Sequence, residues 1–335
     1  MPDLPRTRAH LEEGLGKNLW SGFSLAVRKN SRILTLAGGD VPAGTASVPW
    51  YSAGKPVTAA GVLKILEDTS EEFSQPIAAT LPELAGSYAG TLTLGAILSH
   101  QTGLRIAETE LRGASTEVWD FFRRIHPADC QLSPGQAAYD PSGGWWLLGS
   151  WIERRTGQPW AGFLEKELLE PAGLAGMKFQ PGSVSIRERR AGKWIEGEPG
   201  TGPGAGLTGP ASALALFYEK LSQGRLLGKT MLENMLRPAR ADKSDATFGH
   251  IVDFGLGVIL NSNRHGAATV PYGFGPTAGN RSFGHGGARS SVAFADPEAG
   301  FTAAVFLNGR VPESEHQPRM RALLGLLRSE LASAD

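Results

Sequence analysis

The chain lacks three features that would quickly narrow its function: cysteine pairs, an excess of charge, and long apolar runs. Its 335 residues include one cysteine, Cys130, so no internal disulfide framework can form. Lys plus Arg and Asp plus Glu both number 33, which favours neither nucleic acid nor an anionic membrane as a partner. No apolar run is long enough to span a membrane, and residues 1–8 lack a signal-peptide core. These absences predict a cytoplasmic protein.

Common cofactor and metal motifs are also missing. No H-E-x-x-H or paired Cys/His set indicates zinc, and we expect neither a metal nor a cofactor. The stretch 204–209 spells G-x-G-x-x-G, but no strand pattern precedes it, so it predicts a loop rather than a dinucleotide site. Ser52 has Trp50 where a G-x-S-x-G elbow needs its first glycine, which disfavours an α/β-hydrolase.

Strand patterns occur near both ends of the chain, and helical patterns dominate between them. The predicted strands are Gly22–Arg28, Arg32–Ala37, Phe254–Leu260, Ser291–Ala295 and Phe301–Leu307. The stretch 178–209, rich in glycine and charge, predicts long surface loops. We therefore predict an α+β fold in which both ends build one antiparallel sheet flanked by helices. The predicted sheet domain is 1–68 plus 248–335, the inserted, mainly helical domain is 69–247, and the active site lies at their interface.

The stretch 48–60 contains the first candidate site. Ser52 and Lys55 are three residues apart at a predicted helix start, so their side chains share one face. Pro56 is tolerated there because the first helix N–H groups have no partner within the helix. These N–H groups and their partial positive charge suit a nucleophile whose product is an oxyanion. Alone, the S-x-x-K spacing also fits an N-cap serine followed by a solvated lysine.

Two later stretches supply what such a serine needs. Tyr139 lies in a turn before a predicted helix, and His285 is followed by Gly286 and Gly287 beside a predicted strand. The two glycines would let a ligand or another chain segment approach the backbone closely. Taken separately, Tyr139 also fits an ordinary turn tyrosine, and His285 a buried, hydrogen-bonded histidine.

Together, Ser52-x-x-Lys55, Tyr139 and His285-Gly286-Gly287 resemble the serine β-lactamase and penicillin-binding-protein group. Within that group the closest resemblance is to the class C β-lactamase-like esterases, peptidases and acyltransferases. Accessory motifs extend the resemblance over nearly the whole chain, from about Gly22 to Gly309. The resemblance implies a β-lactamase/transpeptidase-like fold.

The resemblance also implies a mechanism. Ser52 would attack a carbonyl and form an acyl-enzyme, with Lys55 and Tyr139 sharing the proton transfers and His285 near Tyr139 or the substrate. The Ser52 and Ala288 backbone N–H groups would hold the oxyanion. A lysine with the ordinary pKa of about 10.4 would need a shift of roughly three units to act as base, so the resting base stays open. Weaker candidates for substrate contact are Ser142, Trp145, Gly286, Gly287 and Arg289.

One departure bears on the substrate. The group usually has Tyr-x-Asn, with the asparagine orienting the lysine, whereas this chain has proline at position 141 and Ser142 as a partial substitute. True β-lactamases also tend to have lysine where this chain has His285. We therefore predict an esterase or transacylase that acts on a small-molecule ester or amide in specialised metabolism, with water, an amine or an alcohol as acceptor. The alternatives are a β-lactamase or D-amino-acid peptidase, and an inactive relative that only binds a ligand; the oligomeric state is left open.

Overall fold

The computed structural model of the chain describes residues 3–67, 69, 72–107 and 115–332. Strands: β1 Gly22–Lys29, β2 Arg32–Gly39, β3 Val48–Pro49, β4 Arg187–Arg190, β5 Lys193–Glu196, β6 Thr208–Gly209, β7 Ser244–Asp245, β8 His250–Ile251, β9 Ile259–Leu260, β10 Phe283–Gly287, β11 Ser291–Asp296 and β12 Phe301–Asn308. Helices: α1 Pro5–Gly16, α2 Lys55–Glu67, α3 Tyr88–Thr91, α4 Leu94–Leu98, α5 Ser115–Arg124, α6 Gly143–Thr156, α7 Trp160–Phe163, α8 Gly202–Ala205, α9 Ala211–Ser222, α10 Lys229–Leu236 and α11 Glu313–Ala332.

The main sheet has six antiparallel strands in the order β2-β1-β12-β11-β10-β9. Its strands come from the two ends of the chain, which confirms the predicted α+β fold. Strands β1 and β2 form an antiparallel hairpin, and Asn30 and Ser31 take the left-handed conformations that a two-residue turn requires. Strand β10, which carries His285, lies next to the short edge strand β9.

Helices cover both faces of this sheet. Alternate residues of β12 face opposite ways: Phe301 and Val305 pack in the core with α1 and α11, whereas Ala304 and Phe306 belong to the larger core on the other side. All eight residues of β12 are therefore buried. A central strand covered on both faces is mostly apolar, which explains why the β12 sequence shows no regular alternation.

The predicted inserted region contains a helix that packs on the sheet. Helix α9 contacts β1, β11 and β12, and Thr302 of β12 donates a hydrogen bond to the Ala215 carbonyl at 2.8 Å. The domain boundaries at 68/69 and 247/248 stay a prediction, and residue 68 lies outside the described residues.

A separate point concerns membranes: among the described residues, no helix has the length and apolar character needed to cross a bilayer.

Two local predictions were wrong. The stretch 178–209 contains the polar hairpin β4–β5, whose backbone is bonded to Arg310 just after β12: Arg189 donates to the Arg310 carbonyl at 2.9 Å. Tertiary contacts thus stabilise strands that their composition does not predict. The stretch Phe254–Leu260 is extended only at β9, because Gly257 takes a left-handed φ of 76° and turns the chain.

Candidate active site

Ser52 and Lys55 lie where a short 3₁₀ turn, Tyr51–Gly54, continues into α2. In a 3₁₀ turn residues three apart are nearly eclipsed, so the lysine amine is brought back beside the serine hydroxyl. Lys55 Nζ lies 3.2 Å from Ser52 Oγ. Ser52 borders the cavity described below, whereas Lys55 is completely buried. The sequence pair is therefore also a spatial pair.

Backbone carbonyls hold the lysine amine in place. Lys55 Nζ donates to the carbonyl oxygens of Pro141, at 2.8 Å, and Gly204, at 2.9 Å. It also lies 4.8 Å from the centre of the Trp145 ring. Carbonyls only accept hydrogen bonds, so two N–H groups are committed and the remaining position of the amine faces Ser52 Oγ. When the amine is neutral, a lone pair occupies that position and can accept the serine proton.

Tyr139 reaches the same serine from the other side. Its hydroxyl donates to Ser52 Oγ at 2.7 Å. Its ring is stacked on Phe248 at 4.9 Å and contacts His100 at 4.7 Å, and its backbone N–H donates to Asp245 at 3.1 Å. Burial raises the pKa of Tyr139, although the hydrogen bond to Ser52 opposes this. The phenol therefore keeps its proton at neutral pH.

His285 belongs to the same cluster, but its ring is held by its own strand. Its Nδ1 lies 2.7 Å from the Gly286 carbonyl oxygen, which requires a proton on Nδ1. Its ring centre is 5.9 Å from that of Tyr139. Burial, and then the nearby Lys55 charge, lower the pKa of His285 to about 3, so the imidazole is neutral at neutral pH. The predicted proximity to Tyr139 is present as a ring contact.

The end of β10 touches the turn that carries Ser52. A Cβ atom at Gly287 would lie 2.3 Å from the Trp50 carbonyl oxygen and 3.0 Å from the Ala53 nitrogen, so only glycine fits there. Ser291 Oγ donates to the same Trp50 carbonyl at 2.9 Å. The next residue, Ala288, borders the cavity together with Ser52. The assignment of these two N–H groups to an oxyanion hole stays a prediction.

A cavity of about 440 Å³ opens above Ser52. Of the weaker candidates, Ser142, Gly286 and Arg289 line it, whereas Trp145 and Gly287 do not. Trp145 is buried against the lysine amine, so its predicted contact with substrate has no support in this geometry.

Arginines form part of the cavity wall. Arg310 and Arg190 both pair with Glu188. The Arg289 side chain makes no hydrogen bond or ion pair with any residue that the structure describes. It is therefore the cavity arginine that is most available to a bound anion.

Residues 139–142 lack the asparagine that the family usually has, and backbone contacts at this turn position the lysine instead. The Asp140 carboxylate accepts the backbone N–H groups of Gly143, at 3.0 Å, and Gly144, at 2.7 Å, and so caps the start of α6. This cap fixes the turn that presents the Pro141 carbonyl to Lys55. At this turn the Pro141 backbone carbonyl bonds the lysine, and the partial substitution by Ser142 stays a prediction.

The sequence did not reveal that Gly204 takes part. Gly204 belongs to the glycine-rich stretch 204–209, and its carbonyl accepts a hydrogen bond from Lys55. A Cβ atom at Gly204 would lie 2.8 Å from the Trp145 Cβ and 2.9 Å from Lys55 Nζ. The only available signal was the density of glycine in the loop, which does not identify an acceptor.

One group of side chains has ligand atoms spaced for a metal ion within the described part of the chain. Asp242, Asp253 and His265 have these atoms within 4.8 Å of one another. The Arg264 guanidinium already bonds Asp253 at 2.9 Å and Asp242 at 3.0 Å, so it offsets part of their negative charge. None of the three borders the cavity at Ser52. The cluster is an ion-pair network.

The model of the Beta-lactamase family matches residues 7–327, and the chain belongs to this family. A comparison with curated proteins gave no match. Family and fold define an enzyme of the serine hydrolase and acyltransferase kind.

Solved structures agree on the fold. A penicillin-binding protein homolog from Caulobacter crescentus has a TM-score of 0.79 at 19% identity, covering 98% of each chain. EstCE1, described as a hydrolase with promiscuous acyltransferase activity, has a TM-score of 0.77 at 16% identity, covering 95% of this chain and 97% of its own. Simvastatin synthase from Aspergillus terreus has a TM-score of 0.76 at 17% identity, covering 98% of this chain and 95% of its own. At these identities the likeness is one of architecture.

Proposed function

We propose that the protein transfers an acyl group from a small-molecule ester or amide through an acyl-enzyme on Ser52. The observation that carries this proposal is the convergence of two proton-transfer groups on one oxygen. Tyr139 Oη lies 2.7 Å and Lys55 Nζ 3.2 Å from Ser52 Oγ. Both distances suit proton transfer to and from a serine that attacks a carbonyl.

The proton path follows from the protonation states. Since burial keeps the Tyr139 phenol protonated, we assign the role of base to Lys55: its ammonium must first lose a proton to solvent, and the resulting amine takes the proton of Ser52 as Oγ bonds the carbonyl carbon. Tyr139 then gives its proton to the departing alkoxide or amine, and the Lys55 ammonium restores it. The second half repeats these steps with water, an amine or an alcohol as the nucleophile.

The negative charge of the tetrahedral intermediate would be held by the backbone N–H groups of Ser52 and Ala288. Each such donor typically contributes about 3 kcal/mol to the transition state. Support comes from the close backbone approach of Gly287 to residues 50 and 53, which brings the β10–β11 turn next to the serine. The neutral His285 ring adds no charge beside this turn.

The cavity favours a small substrate. A volume of about 440 Å³ holds a molecule of modest size. Arg289, on the cavity wall, is placed to bind an anionic group of that molecule. The lack of the family asparagine makes lactam hydrolysis a poorer match than ester hydrolysis or transacylation, as does His285. The predicted cytoplasmic location also argues against cell-wall peptides as substrates.

The similar structures support acyl transfer in general. EstCE1 is described as a hydrolase with acyltransferase activity, and another similar chain is a D-amino acid amidase from Ochrobactrum anthropi. An amidase is therefore the second candidate within the same chemistry. An inactive, ligand-binding relative is the candidate from another class, and the intact contacts at Ser52 argue against it.

The test is a burst experiment with p-nitrophenyl butyrate, with and without a primary amine or alcohol, and with Ser52→Ala as control. We expect a stoichiometric burst of p-nitrophenol from the wild type and none from the variant. Mass spectrometry of the products then separates butyrate, formed by hydrolysis, from the N-substituted butyramide or the butyrate ester formed by transfer to the amine or the alcohol. A folded wild type without any burst would support the ligand-binding alternative.

A further inference from the structure

The turn between β10 and β11 has an unusual backbone. Ala288 has a φ of 35° and Arg289 a φ of 59°, both left-handed, and Ser290 N–H closes the turn on the Gly287 carbonyl at 2.9 Å. Turns of this geometry favour glycine and asparagine at the two central positions, and this chain has neither. Such a conformation persists only where the surrounding structure holds it.

A partly buried arginine on α11 supplies that hold. Arg319 Nη2 donates to the carbonyl oxygen of Arg289 at 2.9 Å and to that of Gly309 at 2.8 Å. Its Nη1 donates to the Leu19 carbonyl at 3.0 Å. The rigid guanidinium thus ties the turn to the end of β12 and to the segment before β1. Burial lowers the pKa of Arg319 to about 10, which leaves it charged at neutral pH.

No other donor in the described part of the chain bonds the Arg289 carbonyl. This carbonyl lies in the turn, directly after Ala288, which lines the cavity. Freed from Arg319, the two peptide groups of the turn could rotate towards ordinary dihedral angles, and the Ala288 N–H would leave its present direction.

We infer that Arg319 is a positioning residue for the oxyanion hole, holding the strained turn so that the Ala288 N–H faces the carbonyl oxygen at Ser52. The inference rests on the proposed function, because it needs a reaction that passes through an oxyanion. Arg319 itself does not line the cavity, so it acts without touching the substrate.

The test compares Arg319→Met with Arg319→Lys in the full chain. For Arg319→Met we expect kcat for p-nitrophenyl butyrate to fall about 10- to 100-fold with KM changed less than twofold, since a misaligned donor affects the transition state more than the ground state. Affinity for benzeneboronic acid, which forms a tetrahedral adduct with the serine, should fall with kcat. Arg319→Lys should recover part of both losses, because an ammonium can still bond a carbonyl.

Arg328→Met is the matched control. Arg328 lies on the same helix and bonds Asp296 at 2.9 Å, and it borders neither the turn nor the cavity. The Arg328→Met variant should have a lower melting temperature than the wild type but nearly the same kcat and boronate affinity. A folded Arg319→Met variant with wild-type kcat and boronate affinity would overturn the inference. An equal fall of kcat and boronate affinity in Arg328→Met would overturn it too. Should Arg319→Met fail to fold, the Lys variant decides by the same criteria. A wild type without a burst would instead reject the proposed function.

Discussion

The cleft has two walls that position their groups by different means. The sheet wall consists of β10, fixed by strand pairing with His285 opposite Ala293 in register, and the turn 287–290, which Arg319 bonds at the Arg289 carbonyl. The loop wall, residues 138–142 and 199–206, has no such ladder. It is fixed by local side-chain bonds such as those of the Asp140 carboxylate to the start of α6.

The difference shows how each half of the chemistry is supported. In the proposed mechanism the sheet wall would present the Ala288 N–H to the substrate oxygen, whereas the loop wall presents carbonyls to the lysine. Strand pairing spreads a disturbance over many bonds, whereas the lysine depends on two carbonyls, those of Pro141 and Gly204. We therefore expect the loop wall to be more sensitive to single substitutions.

The largest expected effect tests the group that the loop wall holds. Lys55→Met should lower kcat/KM about 10⁴-fold, because it removes the base and leaves two buried carbonyls unbonded. Steady-state kinetics with an activated ester measure this. Lys64→Met is the control on the same helix, since the Lys64 side chain is 44% exposed and its ion pair among the described residues is with Glu67 at 2.9 Å. A comparable loss of kcat/KM in both variants would contradict the assignment of Lys55 as the base.

Tyr139→Phe tests the second proton-transfer group. It should lower kcat about 10²- to 10³-fold while the fold is kept, since the ring contacts remain. Tyr88→Phe is the control, because the Tyr88 hydroxyl bonds the Thr102 carbonyl at 2.6 Å outside the cavity. It should lower stability by about 1 kcal/mol and leave kcat unchanged. Wild-type kcat in Tyr139→Phe would contradict the proton path.

A smaller effect sharpens the comparison between the walls directly. Gly204→Ala would place a methyl group 2.9 Å from Lys55 Nζ and 2.8 Å from the Trp145 Cβ, so the amine must shift. We expect kcat to fall about tenfold or more, since small misplacements in a site reduce rates strongly. Gly162→Ala, with nothing within 4 Å of the new methyl group, should be neutral or slightly stabilising. Unchanged kcat in Gly204→Ala would show that the loop wall adapts.

The smallest effect concerns the buried histidine of the sheet wall. The pKa of His285 is about 3 in the folded chain and about 6.5 in an unfolded one, so the unfolded state binds the proton first as pH falls. The contribution of the neutral His285 ring to the free energy of unfolding is therefore fully present above about pH 6.5. It decreases towards pH 3, by at most about 1.4 kcal/mol per pH unit.

Urea unfolding between pH 7 and pH 4.5 measures this dependence. His285→Gln should lose less stability over the range than the wild type. His316→Gln is the comparison outside the site, because burial also lowers the pKa of His316 to about 3. Both variants should flatten the curve to a similar degree. A slope equal to that of the wild type in His285→Gln would show that the ring is not held neutral by burial.

The sequence predicted side-chain chemistry better than backbone chemistry. Ser52, Lys55, Tyr139 and His285 carry side chains whose order along the chain is diagnostic, and all four meet at one place. A carbonyl acceptor has no side chain to mark it, so the roles of the backbone at residues 141 and 204 could not be predicted. The same holds for Arg319, which the sequence presents only as one residue of an amphipathic helix.

The fold shows a similar division. Strands β11 and β12 follow from apolar runs, which a buried strand needs whatever its neighbours are. The polar hairpin β4–β5 depends on its backbone hydrogen bonds to Arg310, a residue more than a hundred positions away. The local composition does not indicate that contact.

The most direct test of the central claim is covalent labelling of Ser52. A fluorophosphonate should react in one-to-one stoichiometry, with the adduct located by peptide mass spectrometry on Ser52, and Ser52→Ala should remain unlabelled. Labelling of Ser52→Ala to the wild-type extent, or an adduct on another residue of the wild type, would contradict the account.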